Sequence, residues 1–343
     1  MSLDFICFSV RQAKRNLLAL ILGMAVFLPG CIPTEMGNAN NDQSDSSTTS
    51  PPVSVPDEYE AVSLLGSKLV PPVLSEKSAQ VLNANLEKAR VNFHTFPDSL
   101  EVIVWYGRRL AYLSKYKESI QVYTDGLRQF PDAYQLYRHR GHRYITIRQF
   151  DDAILDLEKA AFYMREVELE IEPDGIPNQL NTPLSSTQFN VWYHLGLAYY
   201  LKGNYDKAIS AYKKCMEVST NDDLLVATTD WMYMTYRKLG NVREAQRLLS
   251  AIKLKMNIVE NDSYHKRLLM YKGLVDPASL LDVEDDDDGL QIATQGYGVA
   301  NWHLMNGEIE KAREILEKIV EGQNWAAFGY IAAEAELFKL KTL

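Results

Sequence analysis

From Tyr137 to Arg148 the sequence reads YRHRGHRYITIR, four arginines and two histidines in a chain of 343 residues whose formal net charge is -9. His139 and His142 stand three apart, so one helical face can turn both imidazoles toward a metal ion. Yet Arg138, Arg140 and Arg143 surround them, and three fixed cations oppose a fourth beside a two-ligand site. No metal and no other cofactor is expected. Nucleic acid is excluded on similar grounds, because one basic turn on an acidic chain lacks the extended positive stripe that tracks phosphates. Two readings remain: a docking surface for an acidic or carboxylate-ended segment, and an ion-pair network with Asp151, Asp152 or Asp156.

Catalytic signatures are absent from the sequence. There is no G-x-S-x-G, no H-E-x-x-H, no phosphate-cradling glycine loop and no C-x-x-C pair. The acidic run EDDDDG at 284–289 has oxygen ligands at alternate positions and a glycine at the sixth. Its twelfth position holds Gln295 instead of the bidentate Glu that a calcium loop needs, so a solvated acidic loop is expected.

The elements that position the arginines are periodic. In WYHLGLAYYLKGNYDKAISAYKKC, residues Trp192, Leu195, Gly196, Tyr199, Ala208 and Tyr212 fall into the pattern W-x2-L-G-x2-Y…A-x3-F. Small residues on both helices let the backbones approach, and aromatics fill the gap to the next pair. Cys215 falls at a small buried position, which makes it a packed thiol. On these residues the chain resembles the tetratricopeptide repeat (TPR) family. The resemblance implies an all-α, right-handed α-solenoid of helix-turn-helix repeats, at about 100–133, 134–167, 189–222, 226–259 and 293–325. Insertions at 168–188 and 260–292 interrupt it. Residues 58–99 read as an N-terminal helical cap or degenerate repeat, and 326–343 as a C-terminal capping helix. The first insertion is either a lid over the groove or a tolerated loop.

The repeat register places Arg138 and His142 on the stripe that lines the concave groove in TPR proteins. Trp105 and Arg108 come from the repeat before, and Tyr193 and His194 from the repeat after. These six are the candidate binding residues. Arg140 is assigned to an ion pair within the fold, and Arg143 and Arg148 to the solvated rim. The blocks YRHRGHRYI, ATQGYGVANW and WAAFGYIAAEAEL also resemble a group of bacterial TPR proteins, which implies no activity.

Ahead of the repeats, Arg11, Lys14 and Arg15 precede an apolar run at 17–28, too short for the roughly 20 residues that span a bilayer. LPGC at 28–31 resembles the lipobox of bacterial lipoproteins. By that resemblance 1–30 is a signal peptide and Cys31 carries lipid. Ile32 after the cysteine favours the outer membrane, facing the periplasm. Residues 31–57, rich in Ser, Thr, Asn and Pro, form a disordered tether with a root-mean-square length of roughly 28 Å.

The expected function is a lipid-anchored scaffold, without enzymatic activity, that holds a protein segment, possibly acidic, in its groove at the cell envelope. The first alternative is a glycan or small-ligand binder that uses Tyr112, Tyr193 and Tyr200 as an aromatic platform, and the second is an enzyme with an unrecognised site. Replacing Cys31→Ala is expected to move the protein from the membrane to the soluble fraction and to abolish metabolic labelling with a fatty acid. An unlabelled wild type would remove the anchor.

Overall fold

The computed structural model describes residues 59–282 and 289–342. The leader, Cys31, the tether and the acidic run at 284–288 lie outside the described residues.

A two-stranded antiparallel ribbon, β1 (Ala61–Val62) and β2 (Lys68–Leu69), opens the described chain. Helix α1 (Glu76–Thr95) follows, its first turn capped by the Ser75 hydroxyl, which accepts from the Ser78 amide. Four helical hairpins come next: α2 (Leu100–Tyr112) with α3 (Tyr116–Gln129), α4 (Tyr134–Thr146) with α5 (Phe150–Tyr163), α6 (Thr187–Leu201) with α7 (Tyr205–Glu217), and α8 (Asp222–Lys238) with α9 (Val242–Leu248). Helix α10 (Asp262–Tyr271), the hairpin α11 (Leu290–Met305) with α12 (Ile309–Val320), and α13 (Phe328–Thr342) complete the chain.

The hairpins repeat one set of contacts. Ser119, Ala153, Ala208, Ala245 and Ala312 occupy the same register of successive second helices, and all are fully buried. A larger side chain there would wedge the two helices apart. On the facing helix, a Cβ added at Gly107 would lie 2.3 Å from the Tyr123 ring, and one at Gly196 would lie 2.5 Å from the Tyr212 ring. The turn inside each hairpin needs one residue in the left-handed region. Gly203, Gly240 and Gly307 fill it in the later hairpins, but Ser114 (φ 58) and Arg148 (φ 67) fill it in the first two. For a residue with a Cβ that conformation costs about 1 kcal/mol or more, so another interaction must hold it.

Consecutive helices pack on one another, and the first helices α2, α4, α6 and α8 also touch in sequence along one face. Two segments depart from this nearest-neighbour scheme. Helix α10 lies in the stretch expected as the second insertion, yet it packs against α8 and α11 with Leu268 and Arg267 fully buried. Arg267 meets the equally buried Asp230 at 2.8 Å, and Gly298 makes room for it, since a Cβ there would lie 2.3 Å from Nε.

The second departure is α13. Apolar nearly all round its central turns, it buries Ile331, Ala332, Ala333, Ala335 and Leu337. It packs on α11 and α12 and also reaches back to α6. Glu334, fully buried, accepts two hydrogen bonds of 2.9 Å from Arg148. The same guanidinium donates to the Trp325 carbonyl at 2.8 Å and to the Thr146 carbonyl. Trp325 Nε1 in turn donates to the Val70 carbonyl at 2.6 Å, which brings the N-terminal ribbon into the closure. Arg148, expected at the solvated rim, is therefore a buried residue whose strained turn presents its guanidinium to the last helix.

Removing one partner of such a pair strands the other charge, which costs about 3–5 kcal/mol. Arg148→Ala or Glu334→Ala is expected to lower the melting temperature sharply by calorimetry. The apolar double variant Arg148→Met/Glu334→Leu should recover most of the loss. Single variants that melt like the wild type would show that the pair does not close the fold.

Candidate functional site

The arginine-rich helix α4 turns its side chains in two directions. Arg140 points toward α5, where Nε and Nη2 donate to Asp156 at 2.7 and 2.8 Å and Nη1 donates to the Thr124 hydroxyl at 2.9 Å. This residue holds α3, α4 and α5 together. Arg138, His139, His142 and Arg143 line a cavity of about 100 Å³, together with Arg108 and Tyr112 of α2.

The carboxylate facing these groups belongs to the chain itself. Glu172, from the first insertion, lies 2.9 Å from Arg138 Nε, with both side chains buried. The insertion is docked along its length. Glu172 and Thr187 amides donate to the Ser185 and Glu170 carbonyls at 3.0 and 2.8 Å, which forms a short antiparallel bridge. Tyr134 donates to Glu170 at 2.6 Å, and Arg109 donates to the Gly175 carbonyl at 3.0 Å. Gly175 sits so close to the Tyr112 hydroxyl that a Cβ would overlap it.

The six candidate residues divide into two groups. Trp105, Arg108 and Arg138 form the first. Arg108 lies over the Trp105 ring at 4.4 Å and donates to the Tyr112 hydroxyl at 3.3 Å, and Arg109 covers the same ring at 4.9 Å. Beside them runs a cleft of about 310 Å³, lined by Val104, Trp105, Arg108 and Ile171 and by the acidic side chains Glu101, Glu170 and Glu172. Tyr193 and His194 belong to the second group, which the C-terminal helix covers. The Phe328 ring lies 5.5 Å from His194 and 6.4 Å from Tyr193, and both residues are buried. His142 joins the two groups, since it lines the cavity and also packs 4.2 Å from His194 and 5.3 Å from Phe328. Along α6 the expected groove is thus occupied by the protein's own last helix.

Burial holds His139, His142 and His194 well below the ordinary imidazole range, and the charges of Arg138 and Arg143 push the same way. Arg138 Nη1 stands 3.1 Å from His139 Nδ1 and 3.5 Å from His142 Nδ1. Because a guanidinium can only donate, both Nδ1 atoms accept and both rings carry their proton on Nε2. Burial and the neighbouring arginines thus disfavour the cation that an ordinary histidine gains on acidification. Cys215 is buried and its thiol is pushed up to about 12 by burial, the character of a packing residue. Among the described residues no three His, Cys, Asp or Glu side chains converge as metal ligands.

Sequence reasoning missed Glu172, Phe328 and the inward turn of Arg143. A signal for the first was present: EVELEIE at 166–172 alternates acid and apolar residues with the period of a strand.

A family model described as "Tetratricopeptide repeat" matches residues 189–222, the α6–α7 hairpin. BBSome complex member BBS4 of Bos taurus is similar at 27% identity over 153 residues. That alignment covers 42% of this chain and 25% of the relative, so the chain spans about a quarter of the length of the protein it matches. Among solved structures, a tetratricopeptide repeat protein from Parabacteroides merdae ATCC 43184 is 16% identical with a TM-score of 0.46, and the match covers 76% of this chain and 96% of that one. YrrB, described as a TPR protein with an unusual peptide-binding site, is 15% identical with a TM-score of 0.39 over 75% of this chain and all of its own. With the helix pairing above, the match at 189–222 makes the fold an all-α solenoid of tetratricopeptide-type hairpins.

The buried histidines predict a pH dependence with a definite sign. Below about 6.5 the unfolded chain gains protons that the folded one refuses, so their contribution to stability falls as pH drops through that value. The melting temperature of the wild type is expected to fall more steeply with acidification than that of a His142→Gln/His194→Gln variant. Parallel curves would mean that these rings take up protons without unfolding.

Proposed function

We propose that this protein is a lipid-anchored interaction scaffold of the cell envelope. Its partner is an acidic protein segment that lies in the cleft between α2, α4 and the docked insertion. The observation that carries this reading is the distribution of the first-helix face. Helix α13 covers it along α6, whereas the part at Trp105 and Arg108 remains open as a partly apolar cleft in which Arg108 stands beside Glu101, Glu170 and Glu172. Arg108 is the point there at which a carboxylate of the partner can be held, because Glu101, Glu170 and Glu172 repel it elsewhere in the cleft. The anchor rests on the LPGC motif and its basic, apolar leader, and the outer-membrane location rests on Ile32. BBS4 is by its description a complex member, which supports an assembly role over a catalytic one. A glycan platform of Tyr112, Tyr193 and Tyr200 is disfavoured, because Tyr193 and Tyr200 are buried and only Tyr112 is partly exposed.

Photo-crosslinking from Val104 in envelope membranes would identify the partner. Arg108→Ala should then weaken its binding about tenfold or more, the value of one well-made charge-assisted contact, and the wild-type affinity should fall with salt. Crosslinks to a basic or neutral segment, or binding unchanged by salt, would sink the reading.

A further inference from the structure

The inner cavity carries a charge imbalance that the partner reading does not use. Three guanidinium groups, Arg108, Arg138 and Arg143, face about 100 Å³ of space. Glu172 meets one of them, Arg138, and meets it poorly: Arg138 Nε and Glu172 Oε2 are 2.9 Å apart, yet neither makes an aligned hydrogen bond. Asp174 lies near enough to Arg108 to feel its charge, and burial raises its pKa, but its buried Oδ2 has no hydrogen-bond partner. The contacts of Arg108 are the neutral Tyr112 hydroxyl and the Trp105 ring. Arg143, half-buried where Arg108 and Arg138 are buried, lies 5.6 Å from the Tyr116 ring and has no carboxylate partner among the described residues. His139, His142 and His194 are neutral, and Phe328, from the last helix, brings no charge.

Cations withdrawn from water without counter-charges are unfavourable, and a mobile anion relieves that cost. The space matches. One water occupies about 30 Å³ of liquid volume, so the cavity holds about three waters or one tetrahedral oxyanion. The donors match as well. Guanidinium forks fit phosphoryl oxygens in pairs, the His142 proton is on Nε2, and the Tyr112 hydroxyl, which accepts from Arg108, keeps its own hydrogen to give.

We propose that the cavity bounded by Arg108, Arg138 and Arg143 is a binding site for one phosphate-sized dianionic oxyanion, and that Glu172 is its built-in competitor. The proposal stands apart from partner binding, because inorganic phosphate serves as its own probe. A carboxylate inside the cavity repels the incoming dianion, so the two roles predict opposite signs on mutation. Arg143→Gln is expected to weaken binding at least about tenfold, by loss of a charge-assisted contact. Glu172→Gln is expected to strengthen it, which a merely structural Glu172 would not do.

The experiment is calorimetric titration of the full chain, wild type and both variants, with inorganic phosphate, with O-phosphoserine and with acetate, after circular dichroism has shown that each is folded. Phosphate should bind the wild type in preference to acetate, Glu172→Gln more tightly, and Arg143→Gln more weakly. Equal binding of O-phosphoserine would assign the site to a phosphorylated ligand, and binding of phosphate alone to the free ion. No phosphate binding by either wild type or Glu172→Gln at millimolar concentration would overturn the proposal and leave the cavity to water. Equal affinity of Arg143→Gln and wild type would overturn it too, by placing the ion elsewhere. Partner binding that fails while phosphate still binds would sink only the scaffold reading. A Glu172→Gln chain that does not fold would be replaced by Glu172→Asp, whose shorter carboxylate should still raise the affinity, and an unchanged or lower affinity would count against the site.

Discussion

Glu334 has no access to solvent, and its two oxygens meet the guanidinium of Arg148 across 186 positions of sequence. A solenoid ordinarily lacks such a contact, because each hairpin touches only its neighbours and stability accumulates locally. Here the strained turn of the second hairpin holds an arginine that only the last helix can satisfy. The Leu64 amide, 3.4 Å from Glu334 Oε2, and the Trp325–Val70 bond tie the N-terminal ribbon to the same point. Burial of Phe328 against α4 and α6, the withdrawal of Tyr193 and His194 from solvent and the low basicity of the histidines all follow from where that pair holds α13.

The hairpins were legible in the sequence because their register is local. Gly196 against Tyr212 and the small residues at 119, 153, 208, 245 and 312 state which helix packs on which within a single repeat. Arg140 was legible for the same reason, since its acid lies one helix away. Arg148 was not. Its partner lies near the other end of the chain, and repeat spacing says nothing about contacts beyond nearest neighbours. Helix α10 was hidden because it carries no repeat signature and stands in a stretch whose acidic residues read as a loop. The six candidate residues do lie on one face, but periodicity is blind to what covers a face, so it grouped half-buried Trp105 with buried Tyr193.

Cover of that face comes in two chemical kinds. Helix α13 brings apolar side chains to the α6 region, where displacement would expose a broad hydrophobic surface. The insertion instead brings a carboxylate to Arg138 and a carbonyl to Arg109, both of which water or an acidic ligand can replace. The two halves therefore differ in how reversible their cover is. The α13 half is closed by apolar packing, and the insertion half by polar contacts at Arg138 and Arg109.

The closure also fixes an order of assembly. Each hairpin can pair as soon as its two helices leave the ribosome, for its contacts span few residues. Arg148 then waits through most of the remaining synthesis with its turn strained and its charge unmatched, until residue 334 arrives. Loop closure over that span costs more entropy than any step inside a hairpin, and contacts of such separation form late. A chain interrupted anywhere before α13 would hold well-formed hairpins around an uncovered aromatic face, a species that looks folded by its helix content and yet invites association through Tyr193 and its neighbours.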